Sequence, residues 1–184
     1  KRQVLEFPDV KAVSKFSEGR AFKFYGDYDD NVTIIDKKGK AINTVSPLYD
    51  YVSPYKNDLS YYADDFGEDE VNFQIIDSKG NSLVSLSSDI ETIGDFIDGV
   101  AVARFNNDKW GVIDEDGSYV INPQFSAIFP DGDDYIVKFG KKWGWADSEG
   151  KLFINPQFSA IRNRGFNGTD LAPVKLGDKW GYVN

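Results

Sequence analysis

Asp108-Lys109-Trp110-Gly111-Val112-Ile113-Asp114, followed by Asn122-Pro123-Gln124-Phe125-Ser126-Ala127-Ile128, decides the reading of this chain, because nearly the same text returns one unit later. Lys142-Trp143-Gly144-Trp145-Ala146-Asp147 leads into Asn155-Pro156-Gln157-Phe158-Ser159-Ala160-Ile161, and the run Asn-Pro-Gln-Phe-Ser-Ala-Ile is identical in both. Trp110 to Trp143 spans 33 residues and Trp143 to Trp180 spans 37, where Asp178-Lys179-Trp180-Gly181-Tyr182-Val183 opens a further copy. Self-similarity at such a period is the mark of a repeat architecture.

Working outward, an Asp-x-x-Gly element recurs at Asp36 to Gly39, Asp77 to Gly80, Asp114 to Gly117 and Asp147 to Gly150, its Asp residues 41, 37 and 33 apart. Drift of that kind fits loops of variable length between fixed strands. A second element, an aromatic followed by polar residues and Gly, precedes each copy: Phe16 to Gly19, Phe96 to Gly99, Phe129 to Gly132 and Phe166 to Gly168. The stretch Val4–Val13 reads as the last part of a repeat and 166–184 as the first part of one. The chain is therefore expected to form a single domain over 1–184, with a half repeat at 1–15, repeats at 16–60, 61–95, 96–128 and 129–165, and a half repeat at 166–184.

Within one unit, Val100–Phe105 is β-rich, Asn106-Asn107-Asp108 is a polar turn, and Trp110–Ile113 is the returning strand. The Asp-x-x-Gly corner predicts a tight turn in which the carboxylate accepts backbone N–H groups and Gly adopts the left-handed conformation. Tyr119–Ile121 is the next strand. Pro123 cannot donate to a ladder, so the strand is expected to end there, with Gln124–Ile128 a short further element. A lone sheet of this size cannot bury its apolar face, so units must stack with Trp, Phe and Ile as shared core. The Trp-Gly pair reads as an indole lying along the sheet beside a residue without a side chain. The competing reading has Trp110, Trp143 and Trp180 lining one exposed stacking face.

These elements resemble the bacterial WG (KWG) repeat family, through Lys-Trp-Gly, Asp-x-x-Gly and Pro-x-Phe in the third and fourth units and partly in the fifth. In the upstream units Val32-Thr33 and Phe73-Gln74 stand where Trp-Gly would be. The resemblance implies a repetitive all-β structure in proteins of mostly undefined function. The repeat signature consists of Trp110, Gly111, Asp114, Gly117, Phe125, Trp143, Gly144, Asp147, Gly150, Phe158, Trp180 and Gly181.

The expected fold is an all-β tandem array of about five small antiparallel units of three or four strands, arranged as an open superhelix. The alternative is a closed five-bladed, propeller-like ring joined by the two terminal half-repeats, which would remove sheet edges.

Composition narrows the function. The chain has 184 residues, 41% hydrophobic and 15% aromatic, ample apolar surface to offset the entropy of ordering. A formal charge of −9 repels phosphate backbones, so nucleic acid is not an expected partner. No apolar run approaches the roughly 20 residues that span a bilayer, so this stretch is not expected to insert into a membrane. The chain opens on Lys1 and holds no Met, so a native start is expected upstream, and extracytoplasmic, cell-surface and cytoplasmic settings in a bacterium all stay open. With no Cys and no His, thiolate nucleophiles, Cys-ligated metals and the commonest general base are missing, and no cofactor is expected.

Three acidic clusters invite a calcium reading: Asp27, Asp29 and Asp30; Asp64, Asp65, Glu68, Asp69 and Glu70; and Asp131, Asp133 and Asp134. None has EF-hand spacing, and solvated turns explain them. The lysines in Asp36-Lys37-Lys38-Gly39 likewise mark the Asp-x-x-Gly corner as turn chemistry. Tyr49, Tyr51, Tyr55, Tyr61 and Tyr62 form the one non-repetitive cluster with character, a candidate binding surface because tyrosine gives large contact area at low entropic cost. The competing reading is that they cover the core of a degenerate unit. Arg162-Asn163-Arg164-Gly165 is the local basic spot, a candidate for a carboxylate partner. The chain thus reads as a non-catalytic binding or scaffolding module engaging an unknown protein. The alternatives are a carbohydrate or cell-wall binder using exposed aromatics and a hydrolase working with carboxylates alone.

Overall fold

The fold is seen in a computed structural model, which describes residues 6–25, 31–47, 52–65, 71–162, 165–166 and 168–184. Among these residues every regular element is a strand. The strands are β1 (Ala12–Val13), β2 (Arg20–Phe24), β3 (Val32–Asp36), β4 (Ala41–Val45), β5 (Ser60–Asp65), β6 (Val71–Ile76), β7 (Ser82–Ser85), β8 (Ile90–Ile93) and β9 (Val100–Phe105). They continue with β10 (Trp110–Asp114), β11 (Tyr119–Phe125), β12 (Ala127–Asp131), β13 (Asp134–Phe139), β14 (Lys142–Ala146), β15 (Leu152–Phe158), β16 (Ala160–Ile161), β17 (Ala172–Leu176) and β18 (Lys179–Val183).

They form five separate sheets in chain order, β1-β2-β3-β4, β5-β6-β7, β8-β9-β10-β11, β12-β13-β14-β15 and β16-β17-β18. The ladders of β1-β2-β3-β4, β5-β6-β7, β12-β13-β14-β15 and β16-β17-β18, and that of β10 with β11, are antiparallel. Among the described residues β1 and β18 belong to different sheets, and no ladder joins the two terminal half-repeats. The chain divides into two compact units, one of residues 1–90, 94–101 and 115–117, the other of 91–93, 102–114 and 118–184.

The Asp-x-x-Gly turn takes the geometry expected from its composition. Asp36 Oδ1 accepts the N–H groups of Lys38 (2.8 Å) and Lys40 (2.9 Å), and Asp77 Oδ1 those of Lys79 (2.8 Å) and Asn81 (2.9 Å). Asp147 repeats the pattern with Glu149 and Lys151. Gly39, Gly80, Gly117 and Gly150 all have φ between 74° and 83°, where a side chain is disfavoured. Three of these glycines also touch the preceding sheet. A Cβ on Gly80 would lie 2.5 Å from Ile34 Cδ1, one on Gly117 2.8 Å from Leu86 Cδ2, and one on Gly150 2.9 Å from Ile121 Cγ2. One residue type thus closes the hairpin and lets the next sheet approach.

The Phe-x-x-Gly elements are two-residue hairpin turns. Ser17 and Arg20 exchange both backbone hydrogen bonds (2.8 and 2.9 Å) around Glu18 and Gly19 at φ 48° and 83°. Asp98 and Gly99 repeat this at 51° and 83°, the left-handed pair that matches strand twist. Asn57-Asp58 makes the same turn at φ 49° and 63° without glycine, which hid it from the sequence pattern. Within the first unit the Glu18 carboxylate accepts the N–H groups of Asn57 (3.0 Å) and Asp58 (2.8 Å), tying one such turn to the next.

Two apolar clusters show how neighbouring sheets share a core. In the first unit Phe22, Val32, Ile34 and Val45 pack with Val52, Tyr55, Tyr62 and Ile76. In the second, Ile136, Trp145 and Phe158 pack with Ala172 and Val174, joined by partly buried Trp143, Ile154, Ile161, Phe166 and Val183.

One local expectation is corrected. Pro123 and Pro156 do not end their strands: β11 and β15 run on through Phe125 and Phe158. The register jumps there, Trp110 facing Phe125 and Val112 facing Ile121, so the Asn-Pro segment is a bulge within an edge strand, where a missing N–H costs nothing. The glycine of Trp-Gly makes room for the backbone of the next strand. A Cβ on Gly111 would lie 2.4 Å from Ile121 O and 3.1 Å from Pro123 N; on Gly144, 2.3 Å from Ile154 O and 2.7 Å from Pro156 N. The bulged backbone of the next strand occupies that space. In the units without Trp-Gly the pairing is regular at this level, Thr33 facing Thr44 and Gln74 facing Ser85, and no Asn-Pro is present.

Candidate functional site

The aromatic residues divide into core and surface according to what the neighbouring sheet brings against them. Trp145 stands where the third unit has Val112, and it is fully buried. Its ring centroid lies 5.1 Å from Phe166 and 6.1 Å from Phe158. Its Nε1–H donates to Asp131 Oδ2 at 2.8 Å, and the same oxygen accepts the N–H of Phe166 at 2.9 Å. A Cβ on Gly165 would fall on that carboxylate, so the small residue lets the chain pass close by. Asp131 therefore clamps the fourth sheet to the turn that starts the fifth.

The indoles of the Trp-Gly pairs are not the core. Trp110 and Trp143 are half-buried and Trp180 is 43% exposed, because the strand face they share is covered only in part. Phe129 lies 6.0 Å from Trp143, centroid to centroid, and Lys138 Nζ sits 5.0 Å over the Trp143 ring. One repeat on, Arg162 takes the place of Phe129, its guanidinium 4.3 Å over the ring of Trp180. Between the fourth and fifth sheets these residues frame a groove of about 610 Å3 lined by Phe129, Pro130, Ile136, Trp143, Ala160 and Ile161. Phe129 is 52% exposed at its rim. Every lining side chain is apolar or aromatic, so the groove can desolvate an apolar group but offers no titratable side chain for chemistry.

The tyrosine cluster does not form a recognition surface in the residues described. Tyr55 is fully buried, stacked on Phe22 at 5.5 Å with Arg20 over its ring at 5.3 Å, and its hydroxyl donates to Asp77 O at 3.2 Å. Tyr61 and Tyr62 are buried too, Tyr61 edge-on to Phe73. Tyr55 and Tyr62 join the apolar cluster of Phe22, Val32, Ile34 and Ile76. Tyr49 and Tyr51 lie outside the described residues, as do Asp27, Asp29, Asp30, Glu68, Asp69, Glu70, Asn163 and Arg164.

Of the acidic clusters, Asp131, Asp133 and Asp134 are described. Burial, then the charges of Asp147, Asp133 and Asp131, push the Asp134 carboxyl above its usual range. Among the described residues no group of three or more acidic side chains is placed to hold a metal ion. No helix of these residues is long and apolar enough to cross a membrane.

Sequence reading missed Phe129, Ile161 and Trp145 as a set. The Phe129-Pro130 turn and the Trp143-Gly144-Trp145 alternation carried the signal, but which indole faces the neighbouring sheet depends on packing.

The site and fold define an all-β tandem-repeat protein with an apolar surface groove. Residues 110–143 and 143–180 match the family model of the WG containing repeat, which supports a WG-repeat reading of that stretch. No curated protein matches the chain. Solved structures that it is similar to include the computationally designed Ika8 protein, at 13% identity and TM-score 0.52 over 95% of this chain and 58% of that one. Hsv2 of Kluyveromyces lactis matches at 14% identity and TM-score 0.50 over 92% of this chain and 60% of that one. A form of it with loop 6CD replaced by a Gly-Ser linker gives 14%, 0.52, 92% and 62%. The chain thus spans about three-fifths of these proteins, and the likeness concerns fold alone.

Proposed function

We propose that this chain is a non-catalytic interaction module whose groove beside Phe129 and Trp143 takes an apolar side chain from a partner protein. The observation that carries the reading is the half-exposed Phe129 at the rim of an apolar groove on a rigid sheet. An aromatic anchor seated in such a pocket, fully desolvated, is the common form of an interface hot spot. A glycan stacked on an open indole is less well supported, since Lys138 and Phe129 lie against Trp143 and Arg162 lies against Trp180. A peptide supplies what the groove lacks, a large apolar group with its own backbone polar groups left to solvent.

Panning a phage-displayed peptide library on the chain tests this. Peptides bearing an aromatic or branched apolar residue should be enriched, and Phe129→Glu should weaken them by at least about tenfold, the equivalent of ~1.4 kcal/mol. Thermal melting checks that this surface variant folds. An unenriched library, or binding indifferent to Phe129→Glu, refutes the proposal.

A further inference from the structure

We infer that the occupant of the Phe129 groove is an extended segment whose apolar anchor lies between two residues of opposite charge, an acidic one on the Lys138 side and a basic one on the Asp134 side. The inference rests on reading the groove as a peptide site and adds the charge order of the partner.

The register of the fourth sheet sorts its side chains into bands. Facing residues of neighbouring strands point to the same side of a sheet, and so do alternate residues of one strand. β12 pairs with β13 as Asp131 to Asp134, Phe129 to Ile136 and Ala127 to Lys138; β13 pairs with β14 as Ile136 to Trp145 and Lys138 to Trp143. One face therefore carries an acidic band of Asp131 and Asp134, then an apolar band of Phe129, Ile136 and Trp145, then Lys138 beside Trp143. Phe129, Ile136 and Trp143 are walls of the groove, so it runs from carboxylates at one end to an ammonium group at the other.

Neither end is neutralised from within. Lys138 Nζ sits 5.0 Å over the Trp143 ring and makes no ion pair among the described residues. In the third unit Arg104-Phe105 precedes Trp110-Gly111 as Lys138-Phe139 precedes Trp143-Gly144, and there the cation is paired, with Glu91 at 2.9 Å and with Asp108. The fourth unit has Ala127 opposite Lys138 and Gly140-Lys141 in the turn, which leaves the carboxylate to a partner. At the other end Asp131 is held by Trp145 and Phe166, whereas Asp134 makes no ion pair among the described residues. Burial, then the charges of Asp147, Asp133 and Asp131, hold the Asp134 carboxyl above its ordinary range, and a cation brought there relieves that repulsion. Asp134 and Lys138 are four positions apart on one strand, about 13 Å at the usual rise, so the partner's charges stand two residues either side of its anchor. Complementary ends of this kind fix orientation and exclude wrong partners.

The test is fluorescence anisotropy with three labelled peptides, Gly-Lys-Ser-Phe-Ser-Glu-Gly, its isomer Gly-Glu-Ser-Phe-Ser-Lys-Gly and the neutral Gly-Gln-Ser-Phe-Ser-Gln-Gly, each titrated into the full 184-residue chain. The two charged peptides share composition and net charge, so unspecific attraction cancels between them. One isomer should bind at least about tenfold more tightly than the other, with the neutral peptide between. Lys138→Gln and Asp134→Asn should each narrow that gap, and the two together should bring the isomers within about threefold. Melting at the wild-type temperature confirms that the variants fold. Isomers of equal affinity, or a gap that survives the double variant, overturn the inference and leave the groove reading in place. A neutral peptide that does not bind up to ~1 mM overturns the groove reading, and the inference with it.

Discussion

Gly144→Ala is the sharpest test of why the repeat carries Trp-Gly. The new Cβ would stand 2.3 Å from Ile154 O, 2.7 Å from Pro156 N and 2.9 Å from Asn155 C. All three are backbone atoms, so no rotamer change relieves the clash and the bulge of β15 must move. Overpacking of this kind costs about 1–3 kcal/mol, and loosening one ladder hydrogen bond beside it adds about 1. Replacing glycine also narrows the unfolded ensemble, which returns about 0.4–1 kcal/mol. The net loss is about 1–3.6 kcal/mol, or about 2–14 °C in melting temperature at this chain length. Gly181→Ala is the internal control, since nothing lies within 4 Å of its Cβ position and its φ is not positive. It should fall within about 0.5 kcal/mol of wild type. Urea unfolding followed by Trp fluorescence reads both, because Trp143 and Trp145 flank the substituted position. Equal stability of the two variants would refute the steric account and return the indole-clearance explanation.

Three further outcomes follow from the same geometry. Asp131→Ala strands two donors, the Trp145 Nε1–H and the Phe166 N–H, and should cost about 2–4 kcal/mol in urea unfolding, whereas Asp131→Asn keeps one acceptor oxygen and should cost roughly half as much. Burial, with the Asp77 charge and against that of Arg20, holds the Tyr55 phenol well above its ordinary value of 10.0. The folded-state value is raised, so this contribution is complete below about pH 10 and declines above it, and Tyr55→Phe should flatten the alkaline loss of stability seen in urea midpoints. The carboxyl of Asp36 is lowered, first by the Lys40 N–H; that of Asp77 is pushed up by burial but brought below its ordinary value by Asn81 and Lys79. Stability from these two is present above about pH 4 and lost as pH falls, so the Asp36→Asn, Asp77→Asn double variant should shrink the drop in urea midpoint between about pH 5 and pH 2.5.

The sequence by itself determined what is local or periodic. The Asp-x-x-Gly turns, the hairpin at Asn106-Asn107-Asp108 and the stacking of small sheets all follow from turn chemistry and from the inability of three or four strands to bury one face alone. It also held the pairing of Gly111 with Asn122-Pro123 and of Gly144 with Asn155-Pro156, though residues eleven or twelve apart in the text do not announce that one backbone lies on the other. Tertiary structure decided which aromatics are inside. Trp143 and Trp145 sit two apart on one strand and are equally apolar, yet only Trp145 meets Phe166 from the following unit and bonds the Asp131 carboxylate of its own sheet. Tyr55, Tyr61 and Tyr62 look like a loop surface in the text and become core because the neighbouring sheet brings Phe22, Val32 and Ile34 against Tyr55 and Tyr62. Burial depends on what the next sheet brings against a side chain, and that neighbour is fixed by the packing of whole units rather than by any residue's own surroundings in the chain.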